Sequence, residues 1–159
     1  MKRTAMEKLV AWKSSDERKP MVLKGARQVG KTWLMKEFGK NYYKSFVYFN
    51  FDEEDELKSI FETNKNPQRI IELLSMIAGE KIHPLDTLVI FDEVQAIPVK
   101  CMELFNLAVN FLTQFCGTTV VLCSATQPTL APIKENNICE CIEMAGRPEK
   151  YANAFKRTD

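Results

Sequence analysis

Net charge, histidine and long apolar runs are all scarce in this sequence, and each scarcity removes a class of function. The 22 basic and 21 acidic residues leave a formal net charge of +1. Bulk charge therefore gives no electrostatic case for binding DNA or an acidic membrane surface. The one histidine, His83, precedes Pro84 in a loop-like stretch and has no identifiable catalytic partner around it. The longest apolar runs, "LVIF" and "VVLC", are strand-sized, and "MKRTAMEKLVAWKSSDERKP" at the N-terminus holds none of signal-peptide length. A soluble, cytoplasmic chain that does not span a membrane is expected. Five cysteines, an odd number in an ordinary composition, form no disulfide framework and suit a reducing compartment. Cys139 and Cys141 make a lone C-x-C, without the second ligand pair that a zinc site needs.

A chain of 159 residues is long enough for one domain with a real core. Its pattern alternates short apolar runs with amphipathic segments. Leu9, Val10 and Trp12 predict a helix over 4–13, "MVLKG" a strand closed by Gly25, and Trp33, Leu34 and Phe38 a helix that stops at Gly39. Further on, the pattern predicts strands at 46–51, 87–91 and 118–123, a fourth candidate at 138–142, and a helix over 99–115. Asp52 is a candidate cap for the acidic segment 53–61, and Pro67 opens a helix that ends before Gly79. Strands alternating with helices imply an α/β fold with a mostly parallel central sheet covered on both faces.

"GARQVGKT", Gly25 to Thr32, fits G-x-x-x-x-G-K-[ST] without a mismatch, and it lies between an apolar strand and an amphipathic helix. In that setting the backbone N–H groups of Gly25, Ala26, Arg27, Gln28, Val29 and Gly30 and the helix N-terminus make an anion site. Lys31 is placed to reach the β- and γ-phosphates of ATP, and the Thr32 hydroxyl to ligate Mg²⁺. Arg27 and Gln28 stand where the pattern accepts any residue, so their side chains are read as surface groups.

"TLVIFDE" carries four apolar residues into Asp92 and Glu93, as a central strand would that delivers two carboxylates to its C-terminal edge. Asp92 then joins Thr32 at the metal, and Glu93 is the candidate catalytic residue that orients and polarises water. "VVLCSATQPTL" sets Ser124 and Thr126 beyond another apolar run. Their hydroxyls are candidate γ-phosphate sensors, although a Ser/Thr-rich turn explains them equally. Trp12, Trp33, Tyr48, Phe49 and Phe51 read as packing residues.

From "MEKLVAWKSSDERKPMVLKGARQVGKTWLMKEFGKNYY" through "FVYFNFDEEDELKSIF" and "NPQRIIELL" to "TLVIFDEVQ", residues 1–98 resemble bacterial and archaeal AAA+ ATPases with a "GARQVGKT" loop. The resemblance implies a P-loop NTPase three-layer sandwich, ATP and Mg²⁺ as cofactors, and hydrolysis assisted by Glu93. From Asp92 onward, "DEVQAIPVKCMELFNLAVNFLTQFCGTTVVLCSATQPTL" and "RPEKYANAFKRTD" look like the first RecA-like lobe of the CRISPR-associated DEAD-type helicase–nuclease. That second resemblance implies a chimera of two P-loop ATPases within residues 1–159, joined near 92–98, and it places Ser124 and Thr126 in a motif coupling hydrolysis to DNA unwinding. Neither an AAA+ lid nor the helicase's HD nuclease and second lobe has a counterpart in these residues. If the join is real, helix 99–115 meets a core chosen for another sequence, and misfits cost about 1–5 kcal/mol each.

Overall fold

The computed structural model describes residues 2–16, 19–25, 28–124 and 141–143. Short runs of apolar and β-branched residues form the strands β1 (Met21–Lys24), β2 (Ser45–Asn50), β3 (Thr87–Asp92), β4 (Thr119–Ser124) and β5 (Cys141–Glu143). They pair in the order β2-β3-β4-β1-β5, and every registered pair is parallel. Parallel neighbours need crossovers, and helices supply most of that connecting chain: α2 (Lys31–Tyr42), α3 (Asp55–Thr63), α4 (Pro67–Ala78) and α5 (Val99–Asn110), with α1 (Lys2–Lys13) preceding the sheet.

Strand alternation sorts the core into two layers. Val22, Val47, Phe49, Val89, Phe91, Val120 and Leu122 pack with α3, α4 and α5. Their alternates Met21, Leu23, Leu88, Ile90, Val121 and Cys123 pack with α1 and α2. Both faces are covered, so β1, β3 and β4 read as continuous apolar runs, and the α/β three-layer architecture is the expected one.

The expected junction is packed from both sides. Phe105 of α5 meets Phe51, Phe61 and Phe91 edge-on, with ring centroids 5.5, 5.4 and 5.1 Å away. One misfit stands beside it: the Asn106 amide is buried with no hydrogen-bond partner among the described residues.

Local expectations fared unevenly. Pro67 opens α4 and Gly79 closes it in the left-handed region at φ 69°, as the sequence suggested; Asn66, which the pattern did not single out, caps it by accepting from the Gln68 N–H. Asp52 does not cap a helix: α3 starts at Asp55 after Glu54, and the Asp52 N–H donates to the Asn50 side chain at 2.9 Å. The helix expected over 99–115 is α-helical only to Asn110 and continues as a π turn, Phe111–Phe115, in which the two end rings stack at 5.5 Å. Trp33 is 51% exposed and is not a core residue.

Gly39 does not stop α2, which runs through it to Tyr42. Its role is close approach: a Cβ there would lie 2.7 Å from the Phe46 ring, closer than packed carbons come. Gly39→Ala should therefore lower stability by about 1–3 kcal/mol through overpacking. The corresponding fall in melting temperature is roughly 2–12 °C for a domain of this size. Thermal unfolding checks this, with Gly39→Ala/Phe46→Ala expected to lose less than the two single changes summed.

Candidate functional site

Because the pairs are parallel, the ends of β1, β3 and β4 open onto one edge of the sheet. Register fixes who meets whom there. Lys24 pairs with Ser124 and Phe91 with Leu122, so β4 lies between the strand that leads into the phosphate loop and the strand that carries Asp92.

The loop after β1 turns through left-handed backbone at Gln28 (φ 63°) and Gly30 (φ 88°) before α2 begins at Lys31. Glycine adopts that geometry without strain, and successive N–H groups in such a turn make an anion-binding concavity. Gly30 is the N-cap of α2 and supplies no side-chain cap. The N-cap position itself therefore places no carboxylate or hydroxyl against the first N–H groups of α2, which suits an anion site there. The Lys31 ammonium crosses the loop and donates to the Gly25 carbonyl at 2.7 Å, and its residue is 7% exposed. Ala26 and Arg27 lie outside the described residues, and Val29 is half-buried against the α1–α2 layer.

Thr32 lies in the first turn of α2, and its hydroxyl donates to Asp92 Oδ2 at 2.8 Å. The two candidate metal ligands are thus brought together across 60 residues of chain. Asp92 is 3% exposed and fully engaged: Oδ2 also accepts from the Tyr48 hydroxyl at 2.6 Å, and Oδ1 accepts from the Glu93 N–H at 2.9 Å. Burial, and then the hydrogen bond to Asp92, push the Tyr48 phenol well above its usual range, so it stays a donor at any physiological pH. Burial beside Asp92 likewise pushes the Cys123 thiol up, so Cys123 is not a thiolate nucleophile.

Glu93 occupies the left-handed region at φ 54°, ψ 43°, a strained conformation for glutamate that costs on the order of 1–3 kcal/mol. The kink leads into a 3₁₀ turn, Val94–Ala96, which swings Gln95 back over the edge. Gln95 Nε2 donates to Glu93 Oε2, and Gln95 Oε1 accepts from the Ser124 hydroxyl at 3.0 Å. Amide polarity fits this arrangement in one orientation only, so Gln95 links Glu93, just past the end of β3, to the Ser124 hydroxyl of β4.

Thr126, Cys139 and the closing "RPEKYANAFKRTD" lie outside the described residues. His83 is exposed, and its N–H donates to the Thr87 hydroxyl at 3.0 Å in a loop bond remote from this edge in the chain. Two residues of the site escaped the sequence reading. Tyr48 was indistinguishable from a packing aromatic in an alternating strand, and Gln95 carried no pattern beyond its nearness to Asp92 and Glu93.

The donors suit a hard cation. Thr32 and Asp92 offer oxygen only, and among the described residues no cluster of three or more His, Cys, Asp or Glu could hold a metal without further ligands. An ion here needs phosphate oxygens or water to complete its shell, which is how Mg²⁺ is usually held.

A parallel α/β sheet whose first strand feeds a glycine-bounded phosphate loop, with a Thr–Asp pair at the same edge, defines a P-loop nucleotide-binding domain of the AAA type. The chain belongs to the AAA domain family, whose sequence model matches residues 17–131. That match runs straight through 92–98, where the helicase resemblance begins, and lends the second resemblance no support. No curated protein matches in sequence. Among solved structures, that of C. elegans PCH-2 superposes with a TM-score of 0.61 at 16% identity, covering 89% of this chain and 41% of that one. The likeness is one of fold, and this chain spans about two fifths of that protein's length. Among the described residues no helix is long and apolar enough to cross a membrane.

Ser124 and Gln95 should be energetically coupled. A double-mutant cycle with Ser124→Ala and Gln95→Ala, followed by chemical denaturation, is expected to return about 0.5–2 kcal/mol of interaction energy. Simple additivity would show that the hydrogen bond is not a working link.

Proposed function

We propose that the chain binds ATP with Mg²⁺ at the edge formed by Gly25–Thr32, Asp92 and Glu93, and hydrolyses it. The observation that carries this reading is the 2.8 Å contact between Thr32 and Asp92 beside the buried Lys31. Gly25 through Gly30 would wrap the phosphates with backbone N–H groups, and Lys31 would exchange the Gly25 carbonyl for β- and γ-phosphate oxygens. Thr32 and Asp92 would hold the Mg²⁺, which when bound neutralises charge on the phosphates. Glu93 would orient and polarise the attacking water, while Ser124, through Gln95, and Thr126 would register the γ-phosphate.

Basal turnover is expected to be low. Gln95 already engages the Glu93 carboxylate, so that contact must yield or rearrange before Glu93 serves water. An arginine supplied by a neighbouring copy can add about 10³–10⁵ in rate, which gives a homo-oligomer a catalytic rationale. The same Gln95 contact favours a second reading, a module that binds nucleotide without useful turnover. The free thiols of Cys101, Cys116 and Cys123 are in keeping with a reducing, cytoplasmic setting.

DNA unwinding, which the helicase resemblance of 92–159 implies, has no support in a net charge of +1 and is outside the proposed activity. The single family match over 17–131 favours one ATPase unit over two parents joined at 92–98.

Lys31→Ala should abolish nucleotide binding in calorimetry, and retained affinity would overturn the site. Glu93→Gln should keep binding while lowering hydrolysis by about 10²–10⁴, the usual contribution of a general base. A wild-type rate equal to that of Glu93→Gln would leave only the non-catalytic module.

A further inference from the structure

Thr32, Tyr48 and the Glu93 backbone all donate to Asp92, and their freedoms differ. The Glu93 N–H is fixed by the backbone. The Thr32 hydroxyl must also offer its oxygen to a cation if the proposed site is right, which leaves its bond to Asp92 subject to that demand. The Tyr48 hydroxyl carries no such obligation, and it makes the shortest of the three bonds at 2.6 Å, to the same Oδ2 that accepts from Thr32.

The setting of Tyr48 makes it a rigid donor. It sits on β2, with Tyr48 in register with Ile90 and Asn50 with Asp92, so it lies beside β3 two residues short of the carboxylate. Its ring packs in the layer between the sheet and α2. Lys36 of α2 places its ammonium 4.3 Å from the ring centroid. Lys36 follows Thr32 by four residues, one helical turn, so the two project from the same side of α2. The phenol is thereby fastened at its face to the helix that carries Thr32, and at its hydroxyl to the strand that carries Asp92.

We infer that Tyr48 is a positioning residue for the metal site: it anchors Asp92 Oδ2 while Thr32 turns to the cation, so that the carboxylate is already in place when Mg²⁺–nucleotide arrives. Groups that orient a metal ligand from behind commonly change metal affinity by about 10–100-fold when removed. The inference rests on the proposed Mg²⁺–ATP site and adds to it a residue that the phosphate-loop and acidic-strand patterns do not contain.

The test is the affinity of the full chain for a non-hydrolysable ATP analogue, measured by calorimetry in Mg²⁺ and in EDTA, for wild type, Tyr48→Phe and Lys31→Ala. The ratio of the two affinities reports the Mg²⁺ contribution, a quantity that general loosening of the fold would not selectively move. Tyr48→Phe is expected to leave the EDTA affinity near that of wild type and to shrink the Mg²⁺ enhancement by about 10-fold. Thermal unfolding of the same samples identifies the folded fraction to which each affinity refers. An unchanged Mg²⁺ enhancement, or equal losses in Mg²⁺ and EDTA, would overturn the role for Tyr48 while leaving the site intact. A wild type without Mg²⁺ enhancement, or a Lys31→Ala that binds like wild type, would remove the underlying site and this inference with it.

Discussion

The hydrogen bond from Thr32 to Asp92 joins residues 60 positions apart, and nearly every other feature of the site follows from what must be true for it to form. The end of β1 and the end of β3 must face the same way, which requires parallel strands and helical crossovers. One strand, β4, separates them, and its last residue, Ser124, is carried to the same edge. Two apolar layers hold this geometry, α1 and α2 beneath and α3, α4 and α5 above. The candidate site sits at one rim because burial leaves the strand ends as the place where polar side chains can gather.

Two short chains of hydrogen bonds emerge at that rim. Thr32, Asp92 and Tyr48 form one, centred on a buried carboxylate whose acceptors are met from three sides. Glu93, Gln95 and Ser124 form the other, reached through a strained left-handed residue and a 3₁₀ turn. Adjacent acids thereby acquire different duties: Asp92 is held still, and Glu93 is tethered by a neutral amide that can be exchanged for another partner. Under the proposed function, a low intrinsic rate is what the second chain predicts, because Gln95 holds the carboxylate that water would need.

What was legible in the sequence was local. Gly25–Thr32 declares itself because backbone geometry and phosphate chemistry demand those residue types at fixed spacing, and Asp92 and Glu93 stand out at the end of a fully apolar strand. Tyr48 and Gln95 were not legible: one is defined by a neighbouring strand's register, the other by a turn that depends on Glu93 adopting positive φ. Gly39 misled for a related reason. A glycine after an amphipathic run suggested a helix stop, whereas the demand is tertiary, a lack of room beneath Phe46. The second family resemblance marked a seam at 92–98; beyond it Phe105 packs into Phe51, Phe61 and Phe91 as one cluster, and Asn106 is a residue nearby whose buried amide lacks a described partner.

The most direct test of the site is a crystal structure of the chain with a non-hydrolysable ATP analogue and Mn²⁺ in place of Mg²⁺, read by anomalous scattering. The predicted result is a manganese peak beside Thr32 and Asp92, with the terminal phosphates in the Gly25–Thr32 loop. A nucleotide bound elsewhere, or a metal without contact to either residue, would contradict it.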